Sequence, residues 1–238
     1  LAGHGVMMSG ATHILQALAE KAGIPVAWTM LGKGGFPPSH PLALAMMGMH
    51  GEAIANHAIQ EADLLLAFGM RFSDRVTGKS DQYAPNARKI HIDLDPAELN
   101  KVVAADVAIL GDLRQVLEQL LPQVESASHP EWLTRIGEWR EEGRARDIVH
   151  RPANGHLVAP QFIDAINRAT KGEAILVTDV GQHQMWAVQY YHNARPNTLV
   201  TSGGLGTMGF GLPAAIGAQI ARPEEEVWAI LGDGGFQM

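Results

Sequence analysis

The 238 residues contain no cysteine, which removes disulfide bridges, thiolate nucleophiles and thiolate metal sites from consideration. There is no run of lysine or arginine, and the formal net charge of −7 argues against a nucleic-acid-binding surface. Every apolar run is too short to span a bilayer and is broken by glycine, proline or charge. The opening "LAGHGVMMSG" has no charged segment leading into an apolar one, so no signal peptide is read there, and it carries no initiator methionine. These absences suit a cytoplasmic protein without membrane or nucleic-acid partners. The phosphate-binding pattern G-x-x-x-x-G-K-[ST] is missing throughout, the first half has no G-x-G-x-x-G, and no internal repeat is visible. Charged residues are scarce too, at 18% against 46% apolar, which implies sheets buried on both faces or surfaces covered by partner chains.

What the chain does have is alternation. "SGATHILQALAEKAG" reads as a helix with Ser9 as its N-cap and Gly23 as its stop. "IPVAWTM" reads as a buried strand, "HGEAIANHAIQEA" as a helix and "DLLLAFG" as a strand. "RKIHIDLD" and "DVAILGD" are further strands, and "LRQVLEQLL" is a helix ending before Pro122. Apolar strands without polar alternation, set between helices, predict a parallel sheet. From Pro122 the texture becomes charged and proline-bearing, with one amphipathic helix over about residues 131–146. The alternation then resumes: "PQFIDAINRAT", "GQHQMWAVQYY" and "GFGLPAAIGAQIA" as helices, "EAILVTD", "NTLVTS" and "EVWAILGD" as strands. The expected fold is α/β, with two doubly wound, mostly parallel sheets, the second truncated at its C-terminal side. The domain expectation is 1–121, a connector at 122–158, and 159–238.

Open parallel sheets bind ligands at the carboxyl ends of their strands. In the second half three such ends are unusual: "VTDVGQHQMW" with Asp179, Gly181, Gln182 and His183, "TSGGLGTMGFG" with Met208, and "LGDGGF" with Asp233. Glycines leave backbone N–H groups bare for a phosphate, and an adjacent acid suits a hard divalent cation. The pattern describes a diphosphate-plus-magnesium site. Each part has a plainer meaning when taken alone: a G-D-G can be only a turn, Met208 only a core residue, and His183 only a surface or capping residue. Their coincidence on adjacent strand ends favours the site.

These segments resemble the pyrophosphate-binding domain of thiamine-diphosphate enzymes, and acetohydroxyacid synthase in particular. The resemblance implies that Asp233 ligates Mg²⁺, that Gln182, His183 and Gly234 contact the cofactor diphosphate, and that Met208 is the apolar wedge under the folded cofactor. The backbone at Gly206 would accept from the aminopyrimidine, which makes Gly206 and Met208 the catalytic candidates of this chain. "MMGMHGEAIAN" and "GMRFSDRVTGK" resemble the FAD-binding middle domain of the same family. That implies flavin contacts from Gly3, Gly5, Thr29, Met30, Met49, His50, Gly69, Arg71, Arg75, Val76, Asp93 and Asp112. Arg71 and Arg75 lie four apart, so in a helical turn both guanidinium groups would face one phosphate, the alternative being ion pairs with Asp74 or Asp81. Ser73 replaces the first acid of the family's "RFDDR", and Gly235 stands where Ser or Ala is more usual. Little consequence is expected of either.

By this resemblance the chain is a fragment of a catalytic subunit that decarboxylates pyruvate and adds the two-carbon unit to a second 2-keto acid. The products are 2-acetolactate or 2-aceto-2-hydroxybutyrate. Thiamine diphosphate, Mg²⁺ and FAD are the implied cofactors, and a homodimer or homotetramer with a small regulatory subunit is the implied assembly. The family's catalytic Glu and second metal-ligand Asn would lie outside these residues, so the isolated fragment is expected to be inactive. A related carboligase such as glyoxylate carboligase, or a non-catalytic nucleotide-binding module, remain the competing readings.

Overall fold

Short apolar runs pair as parallel strands throughout the protein. The structure, a computed structural model, describes residues 1–146, 149 and 155–238. It comprises two units, 1–145 and 146–238. In the first unit the elements run α1 (Gly5–Met8), α2 (Thr12–Ala22), β1 (Val26–Trp28), β2 (Ala43–Met46), α3 (Ala53–Glu61) and β3 (Leu64–Phe68). They continue with α4 (Asp74–Thr77), β4 (Arg88–Asp93), β5 (Val107–Leu110), α5 (Leu113–Leu120) and α6 (Pro130–Ala145). β1 pairs with β2, and β3 with β4 and β4 with β5, all in parallel. Ala2 forms parallel bridges to both Trp28 and Phe68. The segment Leu1–Gly3 therefore joins the two ladders into one sheet, in the order β2, β1, Leu1–Gly3, β3, β4, β5.

Three details depart from the sequence reading. Ser9 caps no helix start: it ends α1, and its hydroxyl donates to the Gly5 carbonyl at 2.7 Å. α2 begins at Thr12 without a side-chain cap and ends, as expected, on Gly23 in the left-handed conformation. β2 has no strand signature, because it is four residues long, follows a proline-rich stretch and places Ala45 at φ +86° beside a register shift. Third, the helix expected in a connector packs on α3, and its Ile136 and Trp139 join the first unit's core with Ala55, Ala58 and Ile59. The part of the expected connector at 147, 148 and 150–154, including Pro152, lies outside the described residues.

The second unit runs α7 (Ala159–Thr170), β6 (Ile175–Thr178), α8 (Gln182–Tyr190), β7 (Leu199–Thr201), α9 (Gly211–Ala221), β8 (Val227–Ile230) and α10 (Asp233–Gln237). Its parallel sheet has the order β7-β6-β8. β6 is buried along its length, and its alternate residues serve opposite faces. Leu176 packs with Ile163, Ile166, Ala187 and Tyr191 of the α7/α8 layer, whereas Ile175 and Val177 pack with Ala215 of α9. Helices on both faces of a parallel sheet are what the unbroken apolar strands predicted.

Candidate cofactor sites

Because all strands of the first unit run in parallel, their carboxyl ends share one edge. Gly3 and Gly5 follow the Leu1–Ala2 bridge, Thr29 and Met30 follow β1, and Met49 and His50 follow β2. Gly69 and Arg71 follow β3, Asp93 ends β4, and Asp112 follows β5. The fold thus brings these candidates to one edge although they are scattered over more than a hundred residues. Arg75 and Val76, in α4, are tied to the same edge. The Met49 amide donates to the Arg75 carbonyl at 2.8 Å, and the Arg75 guanidinium lies 3.8 Å from the Met49 sulfur.

The glycines here have a structural duty. A Cβ on Gly3 would strike the Gly69 carbonyl and Met70, and a Cβ on Gly69, at φ +56°, would lie 2.6 Å from the Gly5 Cα. Thr29 caps a short 3-10 turn by accepting from the Gly32 amide at 3.0 Å. Asp112 is the N-cap of α5 and accepts from the Gln115 amide at 3.1 Å. Asp93 accepts from the Asp95 amide at 2.9 Å and lies 3.7 Å from His91. Arg71 is not in a helical turn with Arg75: α4 starts at Asp74, and Arg71 precedes it outside any helix or strand. Nor do the arginines form the alternative ion pairs among the described residues, since Asp81 pairs with Lys79. Both guanidinium groups are exposed at the edge, which suits an anionic ligand.

In the second unit the ends of β7, β6 and β8 lie side by side, with Thr178 in register with Thr201 and Ile230. Thr178 and Thr201 share a 2.7 Å hydroxyl contact, and Gln184 donates to Thr201 at 2.7 Å. Asp179, 1% exposed, follows β6. Its carboxylate accepts from the Val180 amide at 2.7 Å, and both oxygens accept from the Gly209 amide at 3.1 and 2.9 Å. A Cβ on Gly211 would lie 2.8 Å from the Asp179 amide, and a Cβ on Gly235 would overlap the Asp179 carboxylate. Gly235 is therefore not the inconsequential departure expected, because the buried acid fills the space a side chain would need.

His183, in the first turn of α8, sets its ring against Gly181 and Gly232, within 3.1 Å of a Cβ built on the latter. Its Nε2 is buried with no hydrogen-bond partner. Desolvation lowers its pKa below the ordinary 6.5, against the opposing charge and backbone hydrogen bond of Asp179. The terminal methyl of Met208 lies 3.3 Å from a Cβ built on Gly234, so the Met208 loop and the G-D-G turn meet. Asp233 is exposed and heads α10, Gln182 is exposed and opens α8, and Gly206 is exposed at φ +67°.

Residues 1–120 match the family described as thiamine pyrophosphate enzyme, central domain, and residues 179–238 match the C-terminal TPP binding domain of such enzymes. The chain belongs to the thiamine pyrophosphate enzyme family. It is 47% identical, over its whole length, to 41% of a probable acetolactate synthase large subunit of Methanocaldococcus jannaschii. It is 44% identical to acetolactate synthase isozyme 3 large subunit of Escherichia coli, with 99% of this chain and 42% of that protein aligned. It is 47% identical to acetolactate synthase 1, chloroplastic, of tobacco, over 94% of this chain and 34% of that protein. The chain thus spans about two fifths of the length of the curated relatives it matches.

The second unit fits the family's cofactor on its own observations. The orphaned His183 Nε2 needs a polar partner, the glycine-rich loop is open at Gly206, and Met208 offers an exposed apolar surface beside the Gly234 turn. Among the described residues no group of three or more His, Asp or Glu side chains gathers to hold a metal. Asp233 would be a single hard ligand, and an ion there would complete its shell from phosphate, backbone or water oxygens. Sequence reasoning placed Asp179 at the strand end without a role and passed over Gln184 and Thr201. Their importance lies in contacts to Gly209, Gly235 and each other, which no local pattern encodes.

Proposed function

We propose that this chain is part of the catalytic large subunit of an acetolactate synthase, acting on pyruvate and a second 2-keto acid. The observation that carries this reading is the carboxyl edge of the second unit, where Met208 lies over Gly234, Asp233 heads the next turn and His183 presents an unpaired nitrogen. The large-subunit names of relatives similar over nearly the whole chain support the specific activity. Thiamine diphosphate, when bound, supplies a nucleophilic carbon and an electron sink for decarboxylation and carbon–carbon bond formation.

The chain's own residues bind and orient. His183 and Gln182 would hold the diphosphate, the imidazole through its unpaired Nε2. Asp233 would supply a carboxylate oxygen to Mg²⁺. Met208 would supply apolar support for the cofactor, and the Gly206 backbone would help to position it. In the first unit, Arg71 and Arg75 would bind the phosphates of FAD across the edge shared with Met49 and His50. We place the enzyme in the cytoplasm, as a homodimer or homotetramer with a small regulatory subunit.

The test is acetolactate formation from pyruvate by the full-length protein that carries this chain, with thiamine diphosphate and Mg²⁺ supplied and flavin content read by absorbance. Acetolactate production by a flavin-bearing protein is the expected result. Turnover of glyoxylate without acetolactate would transfer the reading to another carboligase of the family.

A further inference from the structure

The most deeply buried acid at the carboxyl edge of the second unit has no place in the chemistry above. Asp179 has no cationic partner among the described residues: its carboxylate is met by the amides of Val180 and Gly209. Burying a charge against backbone donors alone is costly, so those donors must be held in place to retain it. One of them, Gly209, directly follows Met208. On the other side the carboxylate touches Gly235, two residues beyond Asp233, in a space that closes for any residue with a Cβ.

We propose that Asp179 is a positioning residue that sets the spacing between the Met208 loop and the Asp233 turn. It thereby tunes how tightly the site takes a magnesium-bound diphosphate. The inference rests on the thiamine-diphosphate reading of this site but not on the identity of the keto acids. Its hydrogen bond to Gly209 fixes the height of the loop, and its contact with Gly235 fixes where the turn closes. Loss of the cross-loop bond lets the two sides of the site drift while leaving β6 and its packing intact. The neighbouring Gln184–Thr201 pair is a natural contrast, because it lies on the same edge but ties α8 to the end of β7 rather than to Gly209 or Gly235.

The experiment uses the full-length protein, stripped of cofactor and titrated with thiamine diphosphate at several Mg²⁺ concentrations, with binding read by tryptophan fluorescence. Asp179→Asn replaces one acceptor oxygen with a donor. Asp179→Ser keeps an oxygen near the Val180 amide but is too short to reach Gly209, and it serves if the first variant does not fold. In either, the half-saturating Mg²⁺ concentration and the cofactor Kd are expected to rise about tenfold, the scale of one charge-assisted hydrogen bond. Gln184→Ala should lower the thermal midpoint with less than about a threefold change in Kd, since it removes a neutral hydrogen bond that reaches neither Gly209 nor Gly235. Unchanged affinity in both Asp179 variants, or an equal loss in Gln184→Ala, overturns the proposal. Because binding is read without turnover, a protein that makes no acetolactate would still show whether Asp179 sets the affinity for the magnesium-bound diphosphate.

Discussion

The two carboxyl edges are built by different means. In the first unit, turns meet backbone to backbone: Gly3 and Gly5 press on Gly69 and Met70, and Gly48 presses on the Arg75 carbonyl. Its acids are occupied locally, Asp112 as a helix cap and Asp93 in its own turn, and its arginines stand exposed. In the second unit a buried carboxylate does the tying, and the groups left over are an orphaned imidazole nitrogen and an exposed methionine. Backbone contacts make an edge whose shape does not depend on charge. A carboxylate held by amides makes one that responds to the charge of what it binds. The first edge is therefore suited to holding a ligand as a scaffold, and the second to positioning a reactive one.

The contrast is broken most severely at Gly69. Gly69→Ala requires an alanine at φ +56° and drives its Cβ into Gly5. We expect a loss of about 3 kcal/mol or more in denaturant unfolding, since strain and backbone overlap add. Unfolding within about 0.5 kcal/mol of wild type, on the scale of ordinary surface changes, would show that the edge yields more easily than its packing implies. Arg75→Ala in the full-length protein is expected to leave the fold intact and to remove a proposed hydrogen-bond donor to the flavin phosphates. Flavin affinity is expected to fall roughly tenfold, read by flavin release, with KM for the second keto acid rising if the guanidinium also attracts its carboxylate. Unchanged flavin affinity and unchanged kinetics for both keto acids would remove Arg75 from the site.

Asp112→Ala sharpens the same division at smaller scale. As a helix cap its loss costs about 1 kcal/mol of stability. If thermal stability holds while flavin affinity falls, Asp112 serves the ligand rather than α5. The smallest effect is that of His183 on pH. Its folded pKa lies below the unfolded value of 6.5, chiefly through desolvation. Its contribution is fully present above that value, because the imidazole is neutral in both states. As pH falls toward the folded pKa the unfolded chain takes up the proton first, so stability declines. Thermal midpoints of wild type and His183→Gln should therefore converge on acidification from about pH 7.5 to about pH 5.

Much of the architecture was legible because apolar strands and amphipathic helices carry their period in adjacent residues, as in Leu64–Phe68 and Leu113–Leu120. Gly23 and the prolines marked ends for the same local reason. β2 was illegible, since four residues with one at positive φ carry no period, and Ser9 misled because a capping residue type occurs equally well where a short helix ends. The link between α6 and α3 was also invisible, because a charged, proline-flanked sequence conceals that Ile136 and Trp139 share one buried face.

By itself the sequence determined the α/β class, the parallel strands and the family of its glycine-rich turns, all of which depend on neighbours along the chain. Tertiary structure decided the rest: that Arg71 lies outside the helix of Arg75, that Asp112 caps α5, that Asp179 is buried against Gly209 and Gly235, and that His183 is left with an unpaired nitrogen. Two of these, the burial of Asp179 and the setting of His183, depend on residues far apart in the chain meeting at a distance of a few ångströms. Hydrogen bonds and close contacts act only at that range, and only the folded chain brings those residues within it.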